Sequence, residues 1–145
     1  MALDMKSGFP IEYISKDMTA LCLFASAFDG KNDWQHLQKQ GLKTVSLVDH
    51  EWKEQNQFGY KQITDDCFNF IEMNGKKQWD IVISDHWTGQ DESIYPAFFA
   101  KMKTMAKKIL ICGISQEFMN KYTPPSGELY FRSNHNGGTY WLVVK

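Results

Sequence analysis

Four short acidic stretches punctuate the sequence: Asp29-Gly30, Asp49-His50, Asp65-Asp66-Cys67 and Asp85-His86-Trp87. Each follows an apolar run. Carboxylates so placed could accept hydrogen bonds from ribose hydroxyls or an adenine amine, and charge makes such bonds strong. An aspartate after a strand also caps the next helix or stabilises a turn, and for any single position capping is the commoner role. The signal is in the set, because four consecutive strands each end near an aspartate. In the last stretch His86 offers a base that titrates near neutral pH and Trp87 a ring for stacking a planar group. The same two residues also read as an exposed loop histidine and a packing residue at the sheet edge.

Such residues act together only if a scaffold gathers the strand ends. The apolar run at 20–25 is continuous rather than alternating, as in a strand covered on both faces. Asn32 or Asp33 can cap a helix over 34–40, with Gly41 as its stop. The run at 44–48 reads as a second strand ending at Asp49, whereas 51–60 is polar and reads as a short helix or a loop. A brief strand at 61–64 precedes a helix at 67–73 that ends at Asn74-Gly75. A buried strand at 79–84 ends at Asp85. Ile94, Phe98, Met102 and Met105 then recur at helical spacing along 93–107. A fifth strand at 109–112 and a short helix at 116–122, stopped by Pro124-Pro125, complete the alternation. The tail changes character: 128–132 and 139–144 are β-rich and separated by S-N-H-N-G-G, a hairpin signature.

Five βα units and a hairpin predict an α/β fold with a mostly parallel central sheet, helices on both faces and a C-terminal antiparallel hairpin. In such sheets ligands bind beyond the carboxyl ends of the strands, where strand order reverses. The four acidic stretches fall at those ends.

The composition narrows the partners. A chain of 145 residues is expected to form one domain over 1–145, with 1–18 as an N-terminal extension. Aromatic content is 14 %, enough to supply both core and pocket walls. A net charge of −1 disfavours autonomous nucleic-acid binding while leaving room for a local patch. The three cysteines lack paired spacing, and Cys22 and Cys112 sit in apolar runs, which predicts reduced structural thiols and a cytoplasmic protein. His36, His50, His86 and His135 are scattered, so no metal site is expected. The N-terminus lacks a secretion-signal layout and no apolar run approaches membrane-spanning length, so no membrane partner is expected.

From about Thr19 to Lys145 the chain resembles the class I S-adenosylmethionine-dependent methyltransferases, a Rossmann-like superfamily. Its closest likeness is to small bacterial RNA methyltransferases whose first strand reads L-D-L-F-A-G, matched here by Leu21-Cys22-Leu23-Phe24-Ala25-Ser26. The resemblance implies S-adenosylmethionine as cofactor, held by the loop Ala25, Ser26, Ala27, Asp29 and Gly30. It places the ribose-binding acid at Asp49, beside His50, and the adenine-binding pair at Asp66 and Cys67. W-D-I-V-I-S-D at 79–85 resembles the strand leading into the catalytic loop, which implies Asp85, His86 and Trp87 as catalytic residues. Methyl transfer from a sulfonium needs mainly orientation, and Asp85 could accept a hydrogen bond from an attacking amine. The chain also departs from the pattern. The acid of the first strand is missing, Ala25 and Ala27 stand where glycines are usual, and Asp85-His86-Trp87-Thr88 lacks the prolines of Asp/Asn-Pro-Pro-aromatic.

Two function classes follow. One is a minimal S-adenosylmethionine-binding methyltransferase with an unknown substrate. The other is a catalytically inactive, methyltransferase-like interaction or assembly module with a protein partner, to which the departures point.

Overall fold

A computed structural model describes residues 6–25, 34–52, 59–85, 92–121, 127–133 and 138–145. Its strands are β1 (Lys6–Ser7), β2 (Thr19–Leu23), β3 (Thr44–Asp49), β4 (Lys61–Thr64), β5 (Trp79–Ser84), β6 (Ala106–Ser115), β7 (Glu128–Ser133) and β8 (Thr139–Val144). Helices α1 (Trp34–Lys39), α2 (Cys67–Asn74), α3 (Tyr95–Met105) and α4 (Gln116–Lys121) alternate with them.

The strands form one sheet in the order β1-β7-β8-β6-β5-β2-β3-β4. Only β8 runs against its neighbours; it pairs antiparallel with both β6 and β7 and so lies between them. The last two strands are therefore the expected antiparallel pair. The chain moves outward from β2 through β3 to β4, then returns to place β5 on the other side of β2. Strand order thus reverses between β2 and β5, where Leu23 faces Ser84 in register.

Continuous apolar strands demand cover on both faces, and the core divides accordingly. One cluster joins Leu21, Leu23, Val82 and Leu110 to Phe70 and Ile71 of α2 and Phe98, Met102 and Met105 of α3. The other joins Ala20, Cys22, Ile81 and Ile111 to Trp34 and Leu37 of α1. Gly41 ends α1 as its place in the sequence predicts. It takes φ +82, its N–H bonds Gln38 O at 3.0 Å, and the Leu42 N–H bonds Leu37 O at 3.2 Å. A residue without Cβ fits this left-handed cap.

The structure corrects several boundaries. The helix expected over 93–107 begins at Tyr95 and stops at Met105, because Ala106 is already extended and opens a ten-residue strand. Tyr95 takes the buried place expected of Ile94, which stays 36 % exposed. The first strand ends at Leu23, since Phe24 turns to φ +55 and leaves the ladder. Much of the ambiguous stretch at 51–60 lies outside the described residues. The expected N-terminal extension packs on the same sheet, with β1 parallel to β7 and Ile14 in the core.

That packing carries an acid-sensitive contact. Phe9 stacks on His36 of α1 with ring centroids 4.3 Å apart and meets the edge of Trp141. Burial first, then Lys39 and Arg132, push the His36 pKa below its ordinary value. Below about pH 6.5 the unfolded chain therefore takes up a proton that the folded chain resists, so stability falls as pH drops through that region and is complete above it. His36→Phe is expected to flatten this limb of the stability–pH curve. Urea midpoints collected between neutral and mildly acidic pH check it, and an unchanged limb would show that the stack carries no proton linkage.

Candidate functional site

The strand ends around the β2/β5 reversal hold most of the described candidates. At the end of β2, the Phe24 N–H points to Cys67 Sγ at 3.2 Å and the Ala25 N–H donates to Val48 O at 3.1 Å. These two bonds hold a left-handed non-glycine residue that costs about 1–2 kcal/mol. The Phe24 ring packs against Phe68 and Phe98. Ala25 is buried in the α1-side cluster, so its methyl points into the core. At this position the missing glycine puts no methyl over the strand end, and the positive φ is carried by Phe24. Ser26, Ala27, Asp29 and Gly30 lie outside the described residues.

At the end of β3, Asp49 is only 5 % exposed. Its Oδ1 accepts the His50 backbone N–H at 2.7 Å, and His50 Nδ1 lies 2.9 Å from the same oxygen. The exposed His50 ring thus orients a buried carboxylate. The Asp49 carbonyl accepts the Asp65 N–H at 3.0 Å, tying β3 to the end of β4.

Asp66 is the N-cap of α2 and accepts the Asn69 N–H at 3.0 Å. Asp65 receives the Asn69 side-chain amide. Capping accounts for the Asp66 contact, and the Asp65 contact is a side-chain bond beside it. The Cys67 side chain lies beneath the Phe24 turn, and burial pushes its thiol up to about 12. It is a neutral packing group, and what Cys67 offers upward is its amide in the first turn of α2. All three cysteines are buried thiols outside any disulfide; among the described residues no His/Cys/Asp/Glu group has the makings of a metal site.

At the end of β5, Asp85 is buried and ion-paired to Nη1 of Arg132 from β7. The guanidinium crosses β8 over the Trp141 ring, 4.3 Å from its centroid, and passes Gly113 of β6. A Cβ at Gly113 would collide with the Asp85 carboxylate. His86 and Trp87 lie outside the described residues. The hydroxyl of Ser84, fully buried beside Asp85, has no hydrogen-bond partner among the described residues.

The structure therefore brings Ala25, Asp49, His50, Asp66, Cys67 and Asp85 to one edge of the sheet. Arg132 is the residue that sequence reasoning missed. One signal existed: it is the only arginine in a chain rich in lysine, and arginine suits buried ion pairs and aromatic faces better than lysine does. No spacing rule links it to Asp85.

No protein-family model matches the chain, and no curated protein matches it in sequence. Solved structures match in shape. The proposed methyltransferase yhhF from Escherichia coli superposes with a TM-score of 0.64 at 10 % identity, over 92 % of this chain and 77 % of that one. The hypothetical protein TTHA0928 of Thermus thermophilus gives 0.59 at 11 %, over 88 % and 75 %. SMU.776, a proposed methyltransferase solved in complex with SAH, gives 0.61 at 10 %; 87 % of this chain is covered but only 44 % of SMU.776. At these identities the likeness is one of fold, and the chain has the mostly parallel, methyltransferase-like α/β fold of these proteins.

Proposed function

We propose that the chain binds S-adenosylmethionine along the carboxyl ends of β2, β3, β4 and β5 and is a minimal methyltransferase of unknown substrate. The observation that carries this reading is the Asp49 carboxylate. It is buried at a strand end beside the strand-order reversal and oriented by His50, where a ribose could take it as acceptor. The Phe24 turn, with the Ala25 methyl directed inward, fits close approach of a ligand to the backbone. The first-turn amides of α2, behind the Asp66 cap, suit an adenine edge. The SAH held by SMU.776, a protein of the same fold, supports the choice of ligand. When bound, the cofactor supplies an electrophilic methyl group. The residues of this chain orient it and exclude water from one side.

A second reading is favoured by one observation. Asp85 is engaged by Arg132, which makes it a strut rather than an acceptor waiting for an amine. A non-catalytic interaction module built on this fold would keep such a strut and lose the acceptor.

Isothermal titration with S-adenosylhomocysteine separates the two. The wild-type chain is expected to bind at micromolar concentration. Asp49→Ala is expected to weaken binding at least about tenfold, as loss of a charged hydrogen bond does, with its circular dichroism unchanged. A folded wild-type chain that takes up no ligand would remove the enzyme reading and leave the module.

A further inference from the structure

The net charge of −1 averages over two ends of the sheet with opposite character. Asp49, Asp65, Asp66 and Asp85 gather where the strands end. Lysines gather where they begin: Lys16 leads into β2, Lys43 into β3, Lys76 and Lys77 into β5, and Lys107 and Lys108 lie at the start of β6. All six are exposed. The reversed strand β8 delivers Lys145 to the same rim, where its carbonyl accepts Lys103 Nζ at 3.0 Å. Lys16 Cβ lies 3.8 Å from where a side chain at Gly41 would begin, so the approaches to β2 and β3 are close.

Because β3, β2, β5, β6 and β8 are neighbours in that order, the lysines form a row about 20 Å long at about 4.8 Å per strand. Among the described residues Asp17 and Asp80 lie within it, and Glu128 at the start of β7 lies beside its Lys145 end. Asp80 is already engaged: its Oδ2 accepts the Thr19 N–H at 2.9 Å and its Oδ1 lies 4.0 Å from Lys108 Nζ. Helix dipoles explain cations at helix C-termini, such as Lys103. They do not explain Lys16, which follows no α-helix, nor why so many lysines share one rim.

We propose that this amino-terminal rim binds the phosphate backbone of a double-stranded nucleic acid. Lysines are compact point charges that neutralise phosphate without reading bases. Among the described residues the rim presents no free aromatic platform, since Trp79 is half-buried against Phe70 and the Tyr13 ring is covered by Lys145 Nζ, 4.9 Å from its centroid, and single strands are held largely by stacking. Among the described residues it also shows no apolar centre of the kind a protein interface needs; Met73, in the last turn of α2, is a single exposed apolar side chain there. The rim lies at the opposite end of the strands from the candidate cofactor site. A duplex bound there is an anchor and not the methyl acceptor, and it leaves S-adenosylhomocysteine binding unchanged.

Fluorescence anisotropy of a labelled RNA duplex two turns long, titrated with the full chain across a salt series, tests this. A row of this length meets about five phosphates, so log Kobs is expected to fall against log salt with a slope of about −4.5. The charge reversal Lys76→Glu/Lys77→Glu/Lys107→Glu should weaken binding more than tenfold and flatten the slope, and the neutral Lys→Gln set should move it the same way. Lys121→Glu on α4, away from the rim, should change nothing. Absence of duplex binding by the folded wild-type chain, or equal affinity in the charge-reversed protein, overturns the proposal. Retention of polyglutamate without duplex binding overturns it too, and assigns the rim to an acidic protein.

Discussion

Replacing Arg132 with methionine is expected to lower the unfolding free energy by about 3 kcal/mol, read as a fall in the urea midpoint at constant slope. The substitution leaves the Asp85 carboxylate, 6 % exposed, without its guanidinium. Breaking a buried pair from one side costs about 3–5 kcal/mol, because a charge stays out of water without the cation that offset it. Arg132 keeps 29 % of its side chain exposed, so water reaches the pair and the low end of the range applies. Losing the contact with the Trp141 ring adds about 0.5–1 kcal/mol within that total. Arg132→Lys keeps the charge but not the planar fork, and should fall between.

The double variant Asp85→Leu/Arg132→Met distinguishes a structural pair from a net source of stability. Paired apolar replacement of a buried ion pair is often neutral, so the double variant should recover most of what Arg132→Met loses. If Arg132→Met instead costs under about 1 kcal/mol, as surface pairs do, the pair is screened by water. The view of Asp85 as a strut would then fail, and with it the observation that favours a non-catalytic module.

How much of this was legible in the sequence depends on the distance over which each feature is determined. The βα alternation was legible because continuous apolar runs such as 79–84 and the helical spacing of Phe98, Met102 and Met105 are local. The Gly41 stop was legible for the same reason: it satisfies backbone groups within a few residues. The placement of β8 between β6 and β7 was not written locally. A hairpin signature gives antiparallel pairing but does not say which strand meets the rest of the sheet. At the candidate site, the positions of Asp49 and Asp85 after their strands could be read. The inward direction of the Ala25 methyl could not, because it depends on Phe24 taking the left-handed conformation in its place. The polarity of the sheet ends was also hidden, since net charge adds what the topology separates. Lys16, Lys76 and Lys107 are far apart in sequence and meet only because β2, β5 and β6 begin on one rim.

Gly113→Ala is expected to cost about 2–3 kcal/mol, a large effect for one methyl group, since overpacking forces neighbours to move. Gly113 faces Trp141 in the β6–β8 register and has no left-handed torsion to preserve, so the requirement is for space alone. An alanine Cβ there would strike Asp85 Oδ1 and lie 3.1 Å from the Asp85 carbonyl oxygen and 3.4 Å from its Cα. A flexible side chain could swing aside, but the carboxylate is fixed by Arg132 and the other two atoms are backbone. In an Asp85→Ala background the carboxylate clash disappears and the carbonyl contact stays, so the penalty should shrink to about 1 kcal/mol. The urea midpoints of the four proteins give this difference directly, and the environment of Trp141, seen by near-ultraviolet circular dichroism, should change only where Arg132 is displaced. A Gly113→Ala protein as stable as its parent would mean that the end of β5 moves freely. Asp85 could then leave Arg132 and accept a hydrogen bond from an attacking amine, and the strut would no longer count against catalysis.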